Sequence, residues 1–439
     1  MARPAQPGAD PPCTAVHRAL RDGVPGHSAQ LGMGHNLFPT APTVHGFLHR
    51  ALATCVRTGR LHAYATAHDA HDRALAAILA GAYLGIPVEA EQVVFTSGAT
   101  EGIGLVTRWL ASRGLGLLLP APCYHAFEES AHRWGATITG RYGHDGTLHA
   151  TGGRARRTAL VEVLPNGVTG ALHTPPALPA GFRLVDVVFL AGGTRPDPHL
   201  ITAAVRAALA GTLTDTAVLM TASKDLCLPG LRAGLLLSAH PSLLDSARAD
   251  LRDRTACGSP LTGQLMLLYL TVLLLAEAAH DRAPTAFTHR YRWLARQYTR
   301  HGVPVLPSET ACRSLVDHLD AMARHMARNF GLLTRHAVGL LETDARLRPV
   351  AGYSLLPRLA ADAVTRRDCV AWANEIGRRL RLKLNPHLLF GGTEDSWEAL
   401  YPGAARLRVN LSVPHDDLVA TLGLLRVALR SGRPGSVTA

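Results

Sequence analysis

Short apolar runs alternate with helix-like segments through the middle of the chain. Helical periodicity separates several of these runs, over 99–113, 124–134 and 198–210. Such alternation is typical of an α/β domain with a mainly parallel central sheet. The runs that predict strands are Gln92–Thr96, Leu115–Leu119, Ala136–Gly140, Thr158–Leu164, Arg183–Phe189, Ala217–Thr221 and Ala233–Leu237.

The pattern differs on either side of this region. Residues 1–25 are rich in Pro, Ala and Gly and predict a loose leader, followed by helices over 43–58 and 70–84. Helical periodicity dominates from about 240 to 330, and a shorter α+β section follows. It contains strand-like 352–356, 382–385 and 407–412 and helices over 362–380 and 415–430. We therefore expect a large domain over 61–310 and a small C-terminal domain over 311–439. Residues 26–60 are expected to pack on the small domain, and a cleft to separate the two domains.

Composition excludes several classes of protein. The 439 residues are 47% hydrophobic, enough to bury a core, and the longest apolar run, Leu265 to Ala276, is too short to span a bilayer. The net charge of +12 comes from dispersed arginines with few aromatic residues, which does not favour a nucleic-acid-binding protein. No signal peptide is evident, and the seven cysteines are scattered without a CxxC pair. We expect reduced thiols, a cytoplasmic setting and no metal site.

The distribution of lysine points to one loop. Only two of the 45 basic side chains, Lys224 and Lys383, are lysines. Unlike arginine, a lysine in a suitable pocket can lose its proton and act as a nucleophile or base. Lys224 lies between hydroxyls at Thr221 and Ser223 and precedes Arg232 by eight residues, which suits a bound phosphate beside a Schiff base. The alternative is a surface lysine in a Gly/Pro-rich loop.

Two further segments suit an anionic, planar ligand. Val93–Gly102 runs from a strand through a tight turn into a helix, whose first N–H groups and dipole attract anions. Asp186 lies near the carboxyl end of an apolar strand, where ligands gather in open α/β sheets. A carboxylate there can keep a heterocyclic nitrogen protonated, although Asp186 can equally be a simple strand end.

Two more side chains are candidates on weaker grounds. Tyr124 follows another strand end and could stack on a planar ring or belong to the core. Arg408 alternates along a strand with Leu407 and Val409 and could clamp a carboxylate. The alternative is that Arg408 lies on an exposed strand face together with Arg406.

Together and in this order, these segments resemble the fold type I pyridoxal-phosphate enzymes, the class I/II aminotransferase family, over residues 30–425. Three sequence motifs are similar to the 1-aminocyclopropane-1-carboxylate synthase branch of this family: Ser223–Gly234, Pro122–Phe127, and Pro402-Gly403 followed by Arg408-Val409. The resemblance implies the aspartate aminotransferase-like fold and the cofactor pyridoxal 5′-phosphate.

The resemblance also assigns roles. It implies that Lys224 forms the Schiff base with the cofactor and later shuttles the substrate Cα proton. The implied reaction passes through an external aldimine and a quinonoid. Asp186 pairs with the pyridine nitrogen, Tyr124 stacks on the ring, and Arg408, with Gly34 nearby, binds the substrate α-carboxylate. Tyr64 reaches the partner subunit's phosphate in a homodimer. The implied phosphate-binding residues are Gly98, Ala99, Thr100, Thr221, Ser223 and Arg232.

This sequence also departs from the family pattern. The family's asparagine motif survives only as Leu164–Gly170, with Asn166 a candidate shifted by one residue. Phe189 replaces a tyrosine near Asp186, and a glycine expected after Tyr64 is absent from 67–69. Loss of hydrogen bonds to the ring's phenolic oxygen alters the pKa of the Schiff base.

These departures leave the reaction open. One hypothesis is amino transfer or deamination at Cα of an α-amino acid. The other is specialised chemistry, such as antibiotic biosynthesis, in which a β or γ leaving group is expelled, as by a C–S β-lyase acting on a cysteine S-conjugate. A variant of the second couples decarboxylation to oxidative deamination. A non-enzymatic regulator is a third hypothesis, against which the intact Lys224, Asp186 and Arg232 argue.

Overall fold

The computed structural model describes residues 11–23, 29–62, 67–151, 157–187, 189, 198–255, 258–281, 283–360, 368–403 and 405–430. The predicted Tyr64 lies outside them, as do the side chains of 67–69.

The first described element is a helix, in a region where the sequence predicts a loose leader. Helix α1 (Pro12–Gly23) places Cys13 and Leu20 in the core, with Val16 packed against it. These positions recur at helical spacing, so a short apolar stripe outweighs the Pro- and Ala-rich composition around it. The next elements are strand β1 (Ala29–Gln30) and helices α2 (Pro42–Arg57) and α3 (Ala67–Leu84).

A mixed eight-stranded sheet forms the centre of the molecule. Its strands are β2 (Val93–Thr96), β3 (Leu115–Pro120), β4 (Ile138–Tyr142), β5 (Leu148–Ala150), β6 (Arg157–Leu164), β7 (Phe182–Val187), β8 (Thr216–Thr221) and β9 (Gly234–Ser238). Their order is β2-β9-β8-β7-β6-β3-β4-β5. The five strands from β8 to β4 in that order are parallel, whereas β9, β2 and β5 pair antiparallel. The predicted, mainly parallel α/β fold is confirmed, and all seven predicted strands belong to this sheet.

Helices cover both faces of the sheet. Alternate residues of β8 enter different core clusters: Val218 and Met220 face one, and Ala217 and Leu219 face the other. This period of two is the geometry of a strand buried on both sides. The helices around the sheet are α4 (Ala99–Ser112), α5 (Ala126–Trp134), α6 (Pro198–Leu209) and α7 (Pro241–Thr255).

A helical section follows the sheet, as predicted. It consists of α8 (Pro260–Ala279), α9 (Ala286–Arg300) and α10 (Glu309–His336). One described helix, α8, is long and apolar enough to cross a membrane, but 89% of its most apolar window is buried inside the protein. A helix that is apolar all round and enclosed by other elements is a core helix.

The C-terminal section is a small α+β layer. It contains β10 (Leu341–Glu342), β11 (Ser354–Leu355), β12 (Arg358–Leu359), α11 (Cys369–Leu380), β13 (Leu382–Lys383), α12 (Glu394–Leu400), β14 (Val409–Asn410) and α13 (His415–Arg430). Strand β1 pairs in parallel with β13, and the Asn410 amide donates hydrogen bonds to the carbonyls of Met33 and His35. The segment after α1 is therefore tied to this layer, and it reaches the sheet at the cavity described next.

Candidate active site

One cavity of about 340 Å³ lies where the sheet, the β1 segment and the C-terminal layer meet. Ligand pockets in open α/β sheets form at the carboxyl ends of parallel strands, and β7 and β8 both end here. The sequence-predicted residues that line it are Gly34, Ala99, Thr100, Tyr124, Asp186, Phe189, Thr221, Ser223, Lys224, Arg232 and Arg408. Residues separated by up to 374 positions in sequence thus share one site.

Lys224 lies three residues beyond the end of β8, in the turn that the Gly/Pro-rich loop makes. Its Nζ donates a hydrogen bond of 2.9 Å to the carbonyl oxygen of Gly34. Burial lowers the pKa of Lys224 from 10.5 to about 8. The positive charges of Arg408 and Arg232 lower it further, and Asp186 opposes them. The alternative of an ordinary surface lysine does not describe this environment.

Asp186 is the penultimate residue of β7 and is only 3% exposed. Its Oδ1 has no hydrogen-bond partner among the described residues. Burial raises the pKa of Asp186 to about 7, while the nearby Lys224 lowers it. A buried carboxylate oxygen without a partner is costly in a protein, so it indicates a missing positively charged or donor group.

An anion cradle forms between the start of α4 and Arg232. Gly98 caps α4 with φ of +79°, and a Cβ at this position would lie 2.8 Å from Arg232 Nη2. Arg232, itself left-handed with φ of +50°, donates from Nη2 to the Ser97 carbonyl at 3.1 Å. The N–H groups at the start of α4, including those of Ala99 and Thr100, have no intrahelical acceptor and present positive partial charge to the cavity.

Two hydroxyls extend this cradle. Thr221 Oγ1 lies 2.9 Å from Ser223 Oγ and 2.8 Å from the Ala233 carbonyl oxygen. Both side chains are buried and line the cavity, as Arg232 does. The predicted set of phosphate donors is therefore brought together in space, with Gly98 supplying the turn rather than lining the cavity itself.

Arg408 is buried rather than part of an exposed strand face. It is 9% exposed, its Nε and Nη2 lie 3.1 and 2.8 Å from Ser354 Oγ, and its guanidinium lies over the Phe390 ring. Arg406 is also buried, but it pairs with Asp344 away from the cavity. Arg408 thus offers an oriented guanidinium beside Gly34, where an added Cβ would lie 3.6 Å from Nη1.

Tyr124 and Phe189 occupy different environments. Tyr124 is 38% exposed at the cavity wall and makes an edge contact with His125 at 4.5 Å. Phe189 is buried against Tyr353, with ring centroids 5.1 Å apart. Since Phe189 has no hydroxyl, it supplies only an apolar surface to the cavity.

Asn166 does not line the cavity, in contrast to the sequence-based assignment. Its Nδ2 donates to the Pro122 carbonyl at 2.8 Å, and its Oδ1 accepts from the backbone N–H groups of Val168 and Thr169. The side chain is therefore used to hold its own loop, and Gly167 and Val168 face the cavity instead.

Sequence reasoning missed several lining residues. Tyr353, whose hydroxyl donates to the Gly34 carbonyl at 3.1 Å, follows a glycine in a segment read only as a strand. Phe390 lies in a short 3₁₀ turn, and no sequence motif surrounds Lys383. The leader adds His17, Leu20 and Arg21 from α1. A search for polar residues alternating with core residues in the C-terminal strands would have found Lys383.

Comparisons with known proteins agree with this architecture. Residues 29–144 match the profile of the family described as aminotransferase class I and II. No curated protein matches the chain. Among solved structures, an aspartate aminotransferase variant from Thermus thermophilus superposes with a TM-score of 0.63 at 17% identity, covering 98% of this chain and 99% of that one.

Two archaeal structures are similar to the same extent. An aromatic aminotransferase from Pyrococcus horikoshii gives a TM-score of 0.62 at 14% identity, over 95% of this chain and 99% of its own. A Methanococcus jannaschii protein, described as similar in its active site to kynurenine aminotransferases, gives 0.61 at 13% identity over 95% of both chains. This chain has the aspartate aminotransferase-like fold. It is the fold of the type I pyridoxal-phosphate enzymes.

The residues present fit pyridoxal 5′-phosphate, the cofactor that this fold implies. The unpartnered Oδ1 of Asp186 suits a protonated ring nitrogen, and the cradle at Gly98 and Arg232 suits a phosphate. Lys224 offers an amine of lowered pKa that suits the aldehyde, and Tyr124 offers a ring face. A cavity of about 340 Å³ is within the size range of small-molecule sites, roughly 300–1,000 Å³.

Proposed function

We propose that this protein is a pyridoxal-phosphate-dependent enzyme that acts at the Cα of an α-amino acid, with amino transfer as the leading reaction. The observation that carries the proposal is the convergence of Lys224, Asp186 and Arg408 on one cavity. An amine of lowered pKa, a buried carboxylate without a partner and an oriented guanidinium are the three groups that this chemistry requires.

The cofactor, when bound, withdraws electrons from the substrate Cα and so makes its C–H bond acidic. The protein does the rest. Arg408 binds the substrate α-carboxylate, and because Ser354 and Phe390 fix the guanidinium, that contact sets the orientation of Cα. Asp186 would place its carboxylate beside the ring nitrogen, and Arg232, Ser223 and Thr221 would hold the phosphate.

Lys224 is the group that moves the proton. Its amine has a pKa of about 8, so near neutral pH it can both accept a proton from Cα and return it. The Gly34 carbonyl, 2.9 Å from Nζ, gives the amine a second position within the cavity once it is not bonded to the cofactor. A general base with a pKa close to the working pH is the efficient choice.

The first experiment tests cofactor use. The purified protein is expected to be yellow, and borohydride reduction should fix a pyridoxyl group on Lys224, detectable by peptide mass spectrometry. The Lys224→Ala variant should carry no such group, and Lys383→Arg should carry it as in the parent. Fixation on Lys383, or a colourless protein indifferent to added cofactor, contradicts the proposal.

A second candidate reaction is elimination from the β or γ carbon, for example by a C–S β-lyase, or decarboxylation coupled to oxidative deamination. It is favoured by the surroundings of Asn166 and Phe189, neither of which offers a side-chain donor to the cavity. The phenolic oxygen of a bound cofactor would receive no side-chain hydrogen bond from either residue, which would alter the pKa of the groups bonded to the ring. Amino-acid panels separate the reactions: keto acid that forms only with a keto-acid acceptor indicates transfer. Thiol or ammonia released without an acceptor indicates elimination.

The resemblance also supports a homodimer in which Tyr64 reaches the partner subunit's phosphate. Sedimentation equilibrium tests the assembly, and Tyr64→Phe tests the contact. We expect a dimer whose affinity for the cofactor falls about tenfold in the variant, the loss of one charge-assisted hydrogen bond. A monomer with full cofactor affinity contradicts this assignment.

A further inference from the structure

The wall formed by β1 and β13 presents polar side chains to the cavity in a regular alternation. Leu382 and Leu384 are fully buried in the core, whereas Lys383 and Asn385 line the cavity. Successive side chains in an extended segment point to opposite faces, so the two leucines fix the direction of Lys383. Gln30, the register partner of Lys383 in β1, lines the cavity next to it.

Lys383 is a cation with no counter-charge in the part of the chain that the structure describes. Among the described residues, its ammonium takes part in no hydrogen bond or ion pair, although the side chain is half-buried. Asn385, two residues on, is already engaged, since its amide donates to the Gly32 carbonyl. A half-buried ammonium facing a cavity attracts an anion into it.

The charges that line the cavity do not balance. Five side chains that line it are Lys or Arg, and the only carboxylate among the described lining residues is Asp186. Under the proposed function, Lys224 serves the aldehyde, Arg232 the phosphate and Arg408 the α-carboxylate. Lys383 remains. The bound substrate must therefore carry further negative charge if this part of the site is to be neutralised.

We propose that Lys383 binds an anionic group at the end of the substrate side chain, so that the substrate is an amino acid with a second acid group. This inference rests on the proposed function for its placement of the α-carboxylate at Arg408. The residue type supports it: a chain that otherwise uses arginine keeps its two lysines on this one cavity. A lysine offers a compact charge on a flexible stem, which reaches a terminal acid without the fixed fork of arginine.

The test measures binding rather than turnover. Isothermal titration of the full-length, cofactor-loaded protein compares propionate with succinate and glutarate, none of which has an amino group to react. The parent is expected to prefer a diacid, and Lys383→Met to lose about 10- to 100-fold in diacid affinity with propionate unchanged within twofold. Lys383→Arg should restore a part of the preference. A sulfonate analogue, 3-sulfopropionate, distinguishes a carboxylate-specific subsite from a general anion subsite.

Arg378→Met is the matched control, because it removes an exposed charge from the adjacent helix α11. It should leave both affinities unchanged. Equal loss of mono- and diacid binding in Lys383→Met, or none, overturns the subsite. The proposed function fails separately, through absence of the borohydride-fixed group on Lys224. In that case the diacid preference of the cofactor-free protein still reports on Lys383.

Discussion

The lowered pKa of Lys224 predicts how cofactor capture depends on pH. Only the neutral amine attacks an aldehyde, so the capture rate follows the neutral fraction. With a pKa of about 8, roughly a quarter of the amine is neutral at pH 7.5, against about 0.1% for a lysine at 10.5. The structure therefore predicts a gain of roughly 200-fold in reactive amine near neutral pH.

The assay uses cofactor-free protein mixed with pyridoxal phosphate between pH 6 and 10, quenched with borohydride and quantified by mass. In the Lys383→Arg variant Lys224 is the only lysine, so a single site is followed. The rate should rise about tenfold per pH unit below 8 and level off above it. N-α-acetyl-lysine under the same conditions corrects for ionisation of the cofactor itself.

Removal of a positive neighbour refines the test. Arg408→Met takes away a charge that lowers the pKa of Lys224, so its midpoint should move upward, while burial keeps it below 10.5. Arg378→Met, remote from the cavity, should not move it. A midpoint near 10.5 in the parent would refute the environment assigned to Lys224.

Three further substitutions probe the site. Asp186→Asn should lower kcat at least about 100-fold without lowering the Tm of the cofactor-free protein, because the buried Oδ1 has no partner among the described residues to lose. A large drop in Tm contradicts this. Ser354→Ala should raise KM about 3- to 10-fold and leave kcat within twofold, because it frees the Arg408 guanidinium; an unchanged KM argues against Arg408 as the clamp. Gly98→Ala should weaken cofactor affinity at least about tenfold in equilibrium dialysis, given its φ of +79° and the contact at 2.8 Å with Arg232. Gly104→Ala, in the same helix with open space around it, is the control and should bind normally.

The sheet could be predicted from the sequence because its inner strands are buried on both faces. Such strands read as continuous apolar runs, as Ala217–Thr221 does. Strand β5 was missed because it is a three-residue edge strand with an exposed leucine, Leu148, and no such signal. Helix α1 was missed because three apolar positions among Pro, Ala and Gly are a weak signal before packing is known.

The candidate site was most predictable where reactive side chains follow a strand end. Lys224 and Asp186 stand at the ends of β8 and β7, which parallel topology brings to one edge. Tyr353 and Lys383 come from loops and two-residue strands whose approach to that edge depends on how the C-terminal layer packs. Asn166 shows the converse: a residue of the right type, one position from the expected place, is used by its own loop.

The contacts of Asn166 and Phe189 bear directly on which reaction the site favours. In the family that the sequence resembles, an asparagine and a tyrosine are the two side-chain donors near the ring oxygen. Here the amide is bonded to Pro122 and the phenol is absent, while the Tyr353 hydroxyl is held by the Gly34 carbonyl. Gly34 O also accepts from Lys224, so release of either donor is coupled to the other. Tyr353→Phe therefore should change the pH dependence of Lys224 capture as well as the absorbance of the bound cofactor. If neither changes, Tyr353 serves only to pack its ring against Phe189.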